Sequence, residues 1–191
     1  MGNGRRKSWW RAACAAAGLA LVCAAPAGAA PAAQGRADRA LAEGVAAFER
    51  GDAASARAAF ERALAAGGDR ALAHTYLGVL ADRAGDLKAA ERHFAAAVEA
   101  APLLASARNN YGVILMRANR PRLAAAQFEA SLKIDPRQPS ALVNLGQIRF
   151  AAGSAEDLRA ARDLFERAHA VAPDAATARA LVAVALRLGE R

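Results

Sequence analysis

The sequence is poor in the residues on which most site chemistry depends: it has two cysteines, three histidines, two tryptophans, two tyrosines and two methionines among 191 residues. Cys14 and Cys23 both fall in the first thirty residues, so the rest of the chain has no disulfide framework and no thiol to offer. His74, His93 and His169 are too far apart for any two to share a helix face at metal-ligand spacing. No Gly-rich phosphate loop and no nucleophile elbow occurs. These absences argue against an enzyme, so we expect no catalytic residue, no metal, no cofactor and no small-molecule substrate. Alternating runs of Val, Ile and Thr are missing, which excludes a sheet-built core. Aromatic residues make up only 5% of the chain, and alanine dominates its 55% hydrophobic fraction. Alanine buries little area per side chain, at roughly 25 cal/mol per Å², but lets helices approach one another, so the composition favours stacked helices.

The first thirty residues lack any acid, although the whole chain has 18. "MGNGRRKSWWR" is a basic start, Ala12 to Ala25 is an apolar run, and Ala27, Gly28 and Ala29 supply an A-x-A arrangement of small residues. This is the pattern of a bacterial secretory signal peptide over residues 1–30, with cleavage near Ala29 or Ala30. The apolar run is shorter than the ~20 residues of a spanning helix, so membrane attachment is expected only if the signal stays uncleaved. "KSWW" after Arg5-Arg6 fits a twin-arginine signal poorly, and Val22 before Cys23 argues against a lipoprotein. Cleavage removes Arg5, Arg6, Lys7 and Arg11, leaving 22 basic against 18 acidic residues, a net of +4. The arginines that remain are interspersed with acids, as in "FERGDAASARAAFERAL", which argues against nucleic acid as a partner. The expected address is exported, periplasmic or envelope-associated. Residues 31–36, rich in Pro, Ala and Gly, read as a flexible linker.

Beyond the linker the chain repeats itself. Gly44, Gly78, Gly112 and Gly146 are 34 residues apart, and Phe60, Phe94 and Phe128 keep the same spacing, as do Ala56, Ala90 and Ala124. A fourth unit keeps the order with Ala161, Phe165 and Ala168, shifted by three residues, which places an insertion at Ser154 to Glu156 in the turn between its helices. Glycine inside a helix costs about 1 kcal/mol relative to alanine, so four in register imply close packing at each position. Phenylalanines at a fixed interval imply a filled gap against the next unit, each worth roughly 2 kcal/mol or more. Pro102, Pro136 and Pro173 end the second helices. Where units one and two have Gly-Asp at the turn, the third has Asn119-Arg120-Pro121, and asparagine tolerates the left-handed conformation such a turn needs.

This register resembles the tetratricopeptide repeat, a helix-turn-helix unit of 34 residues. The resemblance implies an all-α, right-handed α-solenoid of stacked antiparallel helix pairs. Its repeats are residues 37–70, 71–104, 105–138 and 139–175, followed by a capping helix over 176–191 with Ala178, Leu181, Val182, Ala185 and Leu188 on its apolar stripe. The first helices are then expected to line a concave groove that binds a partner peptide or helix. Places bordering that groove hold Leu41, Val45 and Phe48 in the first unit, and Thr75, Val79, Asp82 and Arg83 in the second. The third contributes Asn109, Asn110, Val113, Met116 and Arg117, and the fourth Val143, Asn144, Gln147 and Phe150. Asn110 and Asn144 occupy the same sixth place and can donate to and accept from a peptide main chain, or else satisfy local polar groups. Arg83 and Arg117 share a thirteenth place, as partners for acidic groups or as solvated neighbours of the turn. Leu41 and Val45 stand where a carboxylate-clamp groove wants Lys and Asn, so that variant is rejected. The expected function is a protein interaction module or assembly scaffold of the cell envelope. A chaperone-like peptide holder, a self-assembling array and a fragment of a longer repeat protein are the alternatives.

Overall fold

A computed structural model describes residues 31–189, and within them every regular element is an α-helix. In chain order these are α1 (Pro31–Glu49), α2 (Ala53–Ala65), α3 (Arg70–Arg83), α4 (Leu87–Ala100), α5 (Ala105–Arg117), α6 (Pro121–Ile134), α7 (Pro139–Ala152), α8 (Ala155–Val171) and α9 (Ala175–Leu188). The signal-peptide expectation, residues 1–30, lies outside the described residues, as do residues 190–191. No described helix is long and apolar enough to cross a membrane.

The helices pack as four successive pairs, α1 with α2 through α7 with α8, and each second helix also packs on the first helix of the next unit. First helices touch one another as well, α3 on α5 and α5 on α7, so they form one continuous layer of an α-solenoid. Within each pair the phenylalanine of the second helix lies directly over the glycine of the first. A Cβ built on Gly44, Gly78, Gly112 or Gly146 would stand 2.7, 2.9, 2.6 or 2.7 Å from the ring of Phe60, Phe94, Phe128 or Phe165. The glycine therefore serves to seat a ring, and burial of that ring offsets the helix-propensity cost. The same rings reach the next unit, Phe60 clustering with Leu77 and Leu80, and Phe128 with Leu142 and Leu145.

The turn inside each pair keeps a residue at positive φ: Gly51 at 79°, Gly85 at 80°, Asn119 at 57° and Gly153 at 82°. Asn119 thus adopts the left-handed conformation expected of it. Because Gly153 is still in 34-residue phase, the three extra residues of the fourth unit do not lie in the turn. Ser154 caps α8 by accepting from the Asp157 N–H at 3.0 Å, and Ala155 and Glu156 already belong to the helix, which runs 17 residues against 14 in α4 and α6. The turn insertion is therefore corrected to a lengthened second helix.

Two further expectations change. Residues 31–36, read as a linker, form the opening turns of α1. Gln34 donates to Asp38 one turn on at 2.9 Å. In α9 the buried face carries Thr177 and Val184, with Ala180, Leu181 and Leu188 partly covered, whereas Ala178 is exposed and Val182 and Leu186 remain 60% and 73% exposed. The helix packs chiefly on α8, with Arg187 lying over Phe150 of α7 and donating to its carbonyl at 2.9 Å, so part of its apolar stripe stays uncovered.

Candidate functional site

The expected groove residues fall on the layer of first helices, where side chains about 35 residues apart meet. Arg83 lies over the ring of Phe48, its guanidinium carbon 4.4 Å from the ring centre. Arg117 pairs with Asp82. Both arginines therefore stitch neighbouring units together, which leaves them less available to an acidic partner than a solvated side chain would be.

The asparagines form a linked group. Asn144 on α7 donates from Nδ2 to Asn109 Oδ1 on α5 at 3.3 Å, and Asn109 donates in turn to Asn110 Oδ1 at 3.5 Å. Asn109 is 7% exposed and so serves as the interior link, while Asn110 and Asn144 are half-buried at the surface. Each amide carries two donors and an accepting oxygen. Among the described residues, Asn110 Nδ2 and Asn144 Oδ1 have no partner, so the group presents a donor and an acceptor outward. Val79 and Val113 on the same layer are half-buried, and Gln147, one turn beyond Asn144, is exposed.

The sixth place holds another side chain that sequence reasoning passed over. Tyr76 in the second unit stacks on Phe60 with ring centres 4.7 Å apart and planes 9° from parallel, and meets Phe48 edge-on at 5.0 Å. Its register with Asn110 and Asn144 was the available signal. The layer thus carries an aromatic cluster under Arg83 over the first two units and linked amides over the last two, where Arg187 lies over Phe150 with its guanidinium carbon 4.8 Å from the ring centre. Two clefts touch the groove at one residue each: one of 910 Å³ is bounded by Thr75, Arg70, Leu72, Pro102 and Leu103, and one of 580 Å³ by Met116, Pro121, Ile148 and Arg149. Both are open, and neither is lined by the asparagines.

The histidines are not isolated. His74 on α3 and His93 on α4 face each other with Nδ1 atoms 3.1 Å apart. Burial holds both rings below the ordinary imidazole range, reinforced for His74 by Arg70 and for His93 by His74, Arg57 and Arg92 against an opposing pull from Glu61. His169 stands 3.0 Å from the Thr177 hydroxyl. No cluster of three or more His, Cys, Asp or Glu side chains arranged to hold a metal occurs among the described residues.

Glycine-seated rings, helix pairs in 34-residue phase and a continuous layer of first helices define a helical-repeat solenoid. The tetratricopeptide repeat model matches residues 41–105 and 112–157, more than half of the sequence. The chain belongs to the tetratricopeptide repeat family. No curated protein matches it. Among solved structures it is similar to MamA, with a TM-score of 0.70 and 15% identity over 81% of this chain and 83% of that one. It is similar to YrrB, described as a tetratricopeptide repeat protein with an unusual peptide-binding site, at 0.62 and 25% identity over 77% and 73%. The first such domain of Spaghetti (RPAP3), bound to an HSP90 peptide, aligns at 0.59 and 18% identity over 63% and 97%. Proteins of this family are in general protein-interaction modules.

Proposed function

We propose that the chain is a non-enzymatic assembly scaffold of the bacterial cell envelope that holds a partner's extended segment against its layer of first helices. The observation that carries this reading is the outward pair of amide groups, Asn110 Nδ2 and Asn144 Oδ1, anchored by the buried Asn109. A donor and an acceptor on adjacent units suit a peptide main chain, which offers both at every residue and makes recognition tolerant of sequence. Val79 and Val113 give the segment an apolar floor, and Gln147 adds a further amide at the edge. The peptide-binding site named for YrrB supports a peptide as the ligand class, and the signal-like first thirty residues support the address.

The test is site-specific photo-crosslinking in envelope extracts, with the photoreactive group placed at Gln147 on a first helix or at the exposed Leu123 on α6. Partner adducts are expected from Gln147 only, and they should disappear when Asn110→Ala and Asn144→Ala are combined. Equal adducts from both positions, or adducts indifferent to the asparagines, would reject the groove. N-terminal sequencing of the exported protein should start near Ala30, and a start at Met1 would remove the envelope address.

A further inference from the structure

The repeat register makes the two facing histidines unusual. His74 is the fourth residue of its unit and His93 the twenty-third. In the first unit those places hold Ala40 and Ala59, and in the fourth Leu142 and Leu164, all of them buried and apolar. In the third they hold Arg108 and Gln127, where Gln127 Oε1 is buried without a partner. The seam between the first and second helix is thus an interior seam, and only the second unit sets two imidazoles across it.

The ring nitrogens stand at 3.1 Å, and among the described residues neither ring has another hydrogen-bond partner. Two nitrogens bound to one ion at ~2.05 Å are about 2.9 Å apart at a right angle and about 3.3 Å apart at the tetrahedral angle. The observed separation falls between the two. A neutral imidazole offers its Nδ1 lone pair to a metal. Neutral imidazole suits zinc, nickel and copper rather than magnesium or calcium. Arg57, Arg70 and Arg92 oppose a cation there, and Glu61 favours one.

We propose that His74 and His93 form a two-imidazole site for a late first-row divalent metal ion, bound between their Nδ1 atoms with water completing its coordination, which clamps α3 to α4. The site is independent of the amide groove and of the partner it holds.

The experiment uses the full chain without a histidine tag, carrying Cys14→Ser and Cys23→Ser so that thiols do not compete. Imidazole nitrogen resonances are followed by NMR while ZnCl2 is added. The Nδ1 signals of His74 and His93 are expected to move together and saturate at one equivalent while His169 stays in place. Movement of one ring alone, of His169 first, or the same response to MgCl2 would overturn the site. His93→Gln should weaken zinc binding by at least about tenfold, since even outer-shell changes cost that much at a metal site. Unchanged affinity in that variant overturns the proposal, and if the variant loses helical content the nitrogen shifts of the parent chain decide.

Discussion

The second and third units share a register, a glycine-seated ring and a turn of the same length, yet they hold their helix starts in opposite ways. In the second, Asp69 caps α3 by accepting from the Leu72 N–H at 3.0 Å, and Asp86 caps α4 by accepting from the Ala89 N–H at 2.8 Å. In the third, α5 and α6 start after Leu104 and Arg120, which make no side-chain cap. Other features stand in for caps. Pro121 needs no partner for a missing N–H, and Arg120 pairs with Glu91 of the preceding unit. Ser131, fully buried where the other units have Ala63, Ala97 and Ala168, donates to the Ala105 carbonyl at 2.8 Å and also meets the Gln138 amide that precedes α7. The second unit's helices are thus capped by aspartates immediately before them, whereas the third replaces caps by the Ser131 bonds inside the unit and by the Arg120–Glu91 pair to the unit before. A repeat array distributes stability through local caps as well as interfaces, and here two adjacent units use different devices for the same task.

That contrast can be broken by substitution. Phe94→Ala and Phe128→Ala each remove a ring from its glycine seat and should each cost about 3–5 kcal/mol in urea unfolding. A large inequality would show that the seat is not the shared element. Gly112→Ala places a methyl group 2.6 Å from the Phe128 ring and should cost about 1–3 kcal/mol despite its better helix propensity, read as a lower thermal midpoint. Ser131→Ala strips the hydroxyl from the Ala105 carbonyl and should cost about 1–2 kcal/mol, with amide exchange rising first at the starts of α5 and α7. Asp86→Ala should cost about 1 kcal/mol, with exchange rising at the start of α4 alone. A spread of that effect into α6 would show that the second unit is less self-contained than its caps imply.

The smallest effect is one of pH. His74 and His93 have folded-state pKa values below the unfolded imidazole value of about 6.5, so the unfolded chain binds protons first as pH falls. Their neutral pairing costs nothing well above that value, and stability declines as pH drops through it. The urea midpoint should therefore fall between about pH 7.5 and 5.5, and the slope should flatten in the His74→Gln, His93→Gln double variant.

How far the sequence foretold this depended on whether the relevant partners share a register place. Glycine, phenylalanine and the left-handed Asn119 recur at fixed intervals, so the helix pairs and their turns were legible. The extra turn of α8 was misplaced because the shift of Ala161, Phe165 and Ala168 dates the insertion only to somewhere before them, and the phase of Gly153 was not weighed. The asparagines were found as places, but the bond from Asn144 to Asn109 joins the sixth place of one unit to the fifth of another, a diagonal that no single position reveals. His74 and His93 were missed because spacing rules test one helix, and theirs is a contact between antiparallel helices. A table of facing places, with Ala40 opposite Ala59 and Leu142 opposite Leu164, would have exposed them.

The lengthened α8 shows where the solenoid tolerates growth. Three residues enter between the cap Ser154 and Ala161, one new side chain, Leu158, is buried, and Phe165 still finds Gly146. The added length sits on the outer wall, and the layer of first helices carries on into α9 without a change in the turn. For an engineer this marks the beginning of a second helix as a grafting point: a short segment spliced there would extend one face of the molecule while the opposite face keeps its spacing.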